Sequence, residues 1–297
     1  MSALALKAQP RQRVLVVTNL YADPWNATRA TFNQQQFGRL AQHVDLHIVV
    51  PVEWTSVLRN PLDYWRRKRV AQKRWSNVDW VIFWYIPGIA RGLHPLFLFL
   101  SLLVQRLPTF LLQRWSCMLA SWACPDAVAV AGLAGLTGTP FVVKVHGSDI
   151  NVFAQERWRR GLIRWALQRA HSVVSVSQAL AKRMVEIGIA AEKITVIYNG
   201  VDAERFYPQD AATARHKLQL SPSATLILFV GNLQTNKGCA ELLEAFAQLR
   251  ARQPDAQLIY IGLGPIKVQL EQRTRQLGLQ EVVHFAGRIS HEHLPDW

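Results

Sequence analysis

Three short stretches of this 297-residue chain combine residue types that can do chemistry. The first is Gly231-Asn232-Leu233-Gln234-Thr235-Asn236-Lys237-Gly238, set between an apolar run and a helical one. A glycine, several polar side chains and a lysine ahead of a helix suit an anion, because unpaired N–H groups and the helix dipole both favour phosphate there. An ordinary polar turn would also use these residues. Lys237 tilts the reading toward function, since a cation at that end works against the dipole. The second stretch is Gly262-Leu263-Gly264-Pro265, a tight turn with a proline placed to open a helix. Beside the lysine loop it would form a second wall of one pocket. The third is His146-Gly147-Ser148-Asp149. The histidine stands where a strand ends, with a glycine behind it that lets backbone approach a ligand. A turn with a satisfied histidine fits that position equally well. His291-Glu292-His293 looks metal-like, but no further ligands stand at recognisable spacing, so it reads as a polar helix start.

These loops need strands and helices to hold them. Short apolar runs recur at 14–17, 46–50, 81–86, 141–145, 173–176 and 194–197, then at 226–230, 258–261 and 282–285. They are continuous rather than alternating, the pattern of parallel strands buried on both faces. Helical stretches fall at 155–170, 178–187, 240–251 and 266–276, the second with Ser177 as its N-cap. Strand–helix alternation predicts doubly wound α/β domains. The polar, proline-bearing segment 199–223 carries the boundary, giving domains at 1–205 and 206–297. The second holds three strands, half of a doubly wound sheet, and residues 291–297 read as the entry to another helix.

Composition narrows the function. Half the residues are apolar and 18% are charged, which excludes a disordered chain. The formal charge is +14, and residues 1–205 carry 25 basic against 12 acidic side chains. That part should seek an anionic partner. Its run Arg66-Arg67-Lys68-Arg69 is interleaved with Trp65 and Trp75. A greasy stretch at 93–112 follows, broken by Pro95, Arg106 and Pro108. Its unbroken part is about half the 20 residues of a spanning helix, so it reads as a core helix or a segment lying against a membrane. No nucleic-acid signature accompanies the basic run. No strand is followed by GxGxxG or GxxxxGK[ST], which disfavours a dinucleotide oxidoreductase and a P-loop enzyme. Cys117, Cys124 and Cys239 form no CxxC and read as reduced thiols. The amino-terminal residues show no signal-peptide pattern.

Taken together, the loops resemble the family 4 glycosyltransferases of GT-B architecture. The resemblance is carried by ITVIYNGVDAERFYP at 194–208, SVVSVSQALAKRM before it, LFVGNLQTNKGCAELLEAFAQLRARQPDAQLIYIGLGP, and VVHFAGRIS. The stretch SWACPDAVAVAGLAGLTGTPFVVKVHGSDIN is similar to members that build bacterial exopolysaccharides and other surface glycans. The family implies two Rossmann-like domains facing a cleft. The first binds the acceptor and the second a nucleotide-diphosphate sugar, which makes Gly231, Asn232, Lys237, Gly262, Gly264 and Asp149 candidate donor contacts. Transfer would be retaining and metal-independent, with no cofactor. Lys237 matches the lysine of the family's basic pair, while Asn232 replaces its arginine. His146 matches the cleft histidine that contacts donor sugar or phosphate, and with Lys237 it is the candidate catalytic pair. Asp149 either reaches the sugar or caps its loop. Residues 26–31 replace the family's glycine-rich loop, and its paired glutamates have no counterpart up to Trp297, so the second domain is expected to be incomplete. The expected partners are a nucleotide sugar, a lipid-linked saccharide acceptor and an anionic membrane surface, not a specific nucleic acid. The expected location is the cytoplasmic face of the cell membrane, in peripheral association. The competing expectation is an inactive remnant that serves as a membrane- or partner-binding module.

Overall fold

The computed structural model describes residues 11–88 and 91–297. The signal-peptide reading rests on residues 1–10 and lies outside the described residues. The chain divides into two compact units, between Gly200 and Val201.

Unit 1 is built on seven parallel strands: β1 (Arg13–Val17), β2 (Asp45–Glu53), β3 (Val78–Phe83), β4 (Cys117–Ala120), β5 (Phe141–Val145), β6 (Ser172–Ser175) and β7 (Ile194–Val196). Their order is β3-β2-β1-β4-β5-β6-β7. Side chains alternate between two cores. Leu15, Val17, Val49, Val81 and Phe83 face one, and Val16, Ile48, Val50, Val52 and Trp80 face the other. Burial on both faces is why the strands read as unbroken apolar runs. On the second face lie α1 (Thr31–Leu40), α2 (Trp54–Arg59) and α3 (Pro61–Arg74), which send Phe37, Val57 and Tyr64 into that core. The first face is covered by α4 (His94–Leu112), α5 (Val128–Thr137), α6 (Ser148–Asn151), α7 (Arg157–Arg169) and α8 (Gln178–Glu186). Ser177 caps α8 by accepting the Leu180 N–H at 3.2 Å.

Helix α4 is long and apolar enough to cross a membrane by length and composition, yet it is bound to the sheet. Leu98, Leu102 and Phe110 are buried in the first core. The Gln105 amide accepts the Ile82 N–H at 3.0 Å and donates to the Ile82 carbonyl at 2.6 Å. Ser101 accepts the Trp84 N–H at 3.0 Å, and Arg106 makes two bonds to Asp79. From α3, Gln72 and Lys68 donate to the Val78 and Trp80 carbonyls. Side chains from both helices thus satisfy the outward groups of β3, an edge strand that would otherwise invite pairing with another chain. The helix kinks at Arg106, two residues before Pro108, whose ring removes one helical N–H donor.

Unit 2 carries α9 (Ala211–Lys217), capped by Asp210, then β8 (Leu226–Val230), α10 (Cys239–Arg250), β9 (Gln257–Ile261), α11 (Lys267–Gln276) and β10 (Val283–Gly287). The three strands are parallel in the order β10-β9-β8. One core, with Leu233, Leu243, Phe246, Leu258 and Tyr260, joins the helices to the sheet. Leu228 and Val230 of β8 are exposed, so this edge strand presents apolar side chains to solvent.

Candidate active site

In an open α/β sheet, ligands bind beyond the carboxyl ends of the strands, where the strand order reverses. In unit 1 the chain runs outward from β1 to β3 and then resumes beside β1 with β4, so the reversal lies between β1 and β4. Ser121 follows β4, and its hydroxyl lies 2.9 Å from Nε2 of His146, which follows β5. The buried Asn33 of α1 donates its amide to Ser121 at 3.2 Å and to the Leu20 carbonyl at 2.8 Å. Phe32 and Trp122 flank the imidazole, with ring centroids at 5.2 and 6.1 Å. Helix α1 and the loops after β4 and β5 therefore hold His146 jointly.

Asp149 builds this loop. It is fully buried, and its carboxylate accepts from the backbone N–H groups of His146, Gly147 and Ala123. Of the two roles open to it, capping is the one its surroundings match, because no surface remains to meet a sugar. Burial nevertheless pushes its pKa up against those three donors. A second carboxyl at the reversal, Asp126, is also fully buried and accepts the Asn19 N–H at 2.8 Å. Burial raises it to about 8, which favours the protonated form. Lys144, 8% exposed, donates to Asn199 at 3.1 Å and to Gln36. Burial lowers it to about 8.

The His146 imidazole is lowered to about 4, mainly by burial and then by the Lys144 charge, so it is neutral at pH 7. Its folded-state value lies below the 6.5 of an ordinary histidine, so unfolding takes up a proton between the two. Stability from this group is full above that ordinary value and falls as pH drops toward 4, by about 3 kcal/mol in all. Urea midpoints measured across that window should fall more steeply for the parent than for His146→Gln. Parallel curves would show that the imidazole is not held neutral.

A cavity of about 550 Å³ opens beside this network, lined by Trp25, Phe83, Trp122 and Phe153 with Asp23 and Glu53 among its polar groups. Another, of about 660 Å³, lies at the amino end of β5, around Pro140, Phe141 and His171, away from these loops.

Unit 2 positions its loops through close backbone approach. The Gly231 N–H donates to the Ile261 carbonyl at 2.9 Å, and the Gly262 N–H to Gly287 at 2.8 Å. A Cβ at Gly262 would strike the Gly231 carbonyl oxygen, and one at Gly264 would strike that of Leu233. These two glycines are thus required for packing whatever else they contact. Leu233 is fully buried and acts as a plug, leaving Asn232, Gln234, Thr235, Asn236 and Lys237 exposed around it. Gly238, at φ 73°, turns the chain into α10, whose first residue is held by a 2.7 Å bond from the Tyr260 hydroxyl to the Cys239 carbonyl. Lys237 ends one residue short of that N-cap and pairs with no carboxylate among the described residues. His291 packs against Phe206 and meets Arg205, and His293 bonds Ser290. Among the described residues no group of three His, Cys, Asp or Glu side chains could hold a metal.

Ser121, Asn33, Asp126 and Lys144 carry no signal of their own in the sequence. The loop after β4 was hidden because CMLA contains no β-branched residue.

Two family models match the chain, Glycosyltransferase Family 4 over residues 69–205 and Glycosyl transferases group 1 over 210–297. The N-acetyl-alpha-D-glucosaminyl L-malate synthase of Bacillus anthracis is 25% identical over 147 residues, covering 50% of this chain and 38% of its own length. The putative colanic acid biosynthesis glycosyl transferase WcaI of Escherichia coli is 29% identical over 165 residues, covering 54% and 36%. The chain thus spans less than half the length of these curated relatives. Among solved structures, Anabaena HepE in complex with UDP and glucose has a TM-score of 0.66 at 19% identity, covering 96% of this chain and 71% of that one. Sucrose-phosphate synthase from Thermosynechococcus elongatus has a TM-score of 0.70 at 17% identity, covering 96% and 73%.

Proposed function

The chain belongs to the family 4 glycosyltransferases, with the GT-B type of fold, and from that premise we propose that it transfers a glycosyl group from a nucleotide-diphosphate sugar to a saccharide. The observation that carries this reading is the unit 2 loop between Gly231 and Gly238. It gathers exposed amides, one lysine and the start of α10 around the buried Leu233. That is a cradle for a diphosphate. As the bond from the anomeric carbon to the diphosphate oxygen breaks, negative charge grows on the leaving group. Lys237 and the backbone N–H groups neutralise it without a bound metal. The acceptor hydroxyl oxygen then bonds the anomeric carbon on the face the diphosphate left, with retention, and its proton passes to the departing diphosphate oxygen.

In unit 1, the neutral His146 contacts donor sugar or phosphate as a hydrogen-bonding group rather than as a base. The 550 Å³ cavity takes the acceptor, its aromatic faces stacking on sugar rings while Asp23 and Glu53 accept from hydroxyls. The acceptor is a lipid-linked saccharide of surface-polysaccharide synthesis, and the protein works in peripheral association with the cytoplasmic face of the membrane. Support for that setting is the excess of basic residues at 1–205 and the exposed apolar side of α4.

UDP-glucose is the first donor to test, because the Anabaena neighbour is solved with it. Isothermal titration of the chain with UDP-glucose, with chelator present, should show saturable binding that UDP displaces. Absence of binding to UDP-glucose and to the other common nucleotide sugars would remove the proposal.

A further inference from the structure

We propose that unit 1 docks on an anionic phospholipid bilayer through the face that α4 and α7 build together, with an acyl chain seated in the groove between them. The inference deepens the membrane part of the reading above and rests on it.

The first observation is a stripe along α4 and its entry turn. Leu93, Leu96, Leu100, Val104, Leu107 and Leu111 follow one another at intervals of three and four, so they share one side of the helix. Each is between 42% and 83% exposed. A core helix would bury such a stripe, and a solvated one would make it polar. The opposite side of α4 is tied to β3 and the core, so the helix lies along a surface and does not cross it.

The second observation is a groove of about 470 Å³ between α4, α5 and α7, lined by Leu96, Phe99, Gly132, Gly161, Leu162 and Trp165. A Cβ at Gly132 would come within 3.0 Å of the Phe99 ring, so the absent side chain there makes room for that ring. Its walls are almost wholly apolar, and it continues the α4 stripe at Leu96.

The third observation decides the occupant. On α7, Arg157 and Arg164 are two turns apart, as are Trp158 and Trp165, and all four are exposed on the same side. The guanidinium of Arg159 lies over Trp158 at 5.0 Å, and that of Arg169 over Trp165 at 4.6 Å. Indole rings with guanidinium groups at the rim of an apolar surface match the headgroup layer of an anionic bilayer. An acidic-rimmed protein partner would meet the same charges but has no use for a groove that fits a hydrocarbon chain. On the other face of the sheet, α3 also shows basic residues with exposed Leu62 and Val70. Two of its arginines, Arg66 and Arg67, pair with Asp63, as Arg159 of α7 pairs with Glu156, and α3 serves as the comparison surface.

The test is co-sedimentation of the full chain with vesicles of phosphatidylcholine alone and of phosphatidylcholine mixed with phosphatidylglycerol. Binding is expected only to the mixed vesicles. It should fall on the order of tenfold or more in Val104→Asp/Leu107→Asp and in Arg157→Glu/Arg164→Glu, and persist in Leu62→Asp/Val70→Asp. Thermal unfolding of each variant reports whether it folds, and the two decisive pairs lie on separate helices, so one stands if the other fails. Binding that survives both decisive pairs, or is lost with the α3 pair instead, overturns this surface while the membrane reading stands. Failure of the parent chain to bind mixed vesicles overturns both. Donor binding should be unchanged in all three pairs, which separates this test from that of glycosyl transfer.

Discussion

Lys237→Ala should lower turnover on the order of 10²–10³-fold while leaving the fold intact. The size follows from the scarcity of charge in the loop. Asn232 lies in the loop as an exposed amide, which donates a hydrogen bond but supplies no positive charge. The other groups that a diphosphate would meet in the loop are neutral N–H donors and the partial charge of the α10 start. On the proposed reading, the one full charge in the loop carries most of the leaving-group stabilisation. Stability should change little, because Lys237 is exposed and makes no ion pair among the described residues. Lys237→Arg should recover part of the rate, since the charge returns with altered reach. Steady-state kinetics beside urea unfolding of the same samples checks both halves. Near-normal turnover in Lys237→Ala would sink the role assigned to the loop.

Gly262→Ala is expected to cost about 3 kcal/mol or more in unit 2, the range of severe overpacking. Gly262 sits at φ 141°, and its missing Cβ leaves room for the Gly231 carbonyl oxygen. Its N–H bonds Gly287, and Gly231 in turn bonds Ile261, so this contact laces the ends of all three strands. The backbone atom in the way cannot swing aside as a side chain would. Gly238→Ala is the matched comparison. Its φ of 73° also disfavours a side chain, but nothing stands within 4 Å of the added carbon. It should cost only the left-handed penalty of about 1–2 kcal/mol. Urea denaturation of the two variants reads the difference, and equal costs would contradict the packing account.

What could be read in advance depended on residue type. Runs such as RVLVV at β1 and FVVKV at β5 announced themselves, because parallel strands buried on both faces select β-branched and aromatic side chains. The strand CMLA at β4 did not, and the loss was larger than four residues. Without β4 the reversal of strand order beside β1 cannot be located, and with it go Ser121, Trp122 and Asp126. The apolar run at 81–86 overshoots its strand, which ends at Phe83, because Trp84 turns to the Ser101 hydroxyl of α4. The unit 2 loops were legible since glycines that permit close approach cannot be exchanged for other residues. Asp149 was half legible: its type and position allow a ligand contact, and only the three backbone donors converging on it assign it to the loop. Helix α4 was read as either core or membrane-facing. It is packed on one side and open on the other, a division set by tertiary contacts and not by its uniformly apolar composition.

The most direct test of the central claim is proton NMR of the chain with UDP-glucose and a lipid-linked saccharide extract. The account predicts UDP release dependent on the extract, an anomeric signal in the product with the donor's configuration, and loss of both in Lys237→Ala. Intact donor throughout, with each common nucleotide sugar tried in turn, would contradict it.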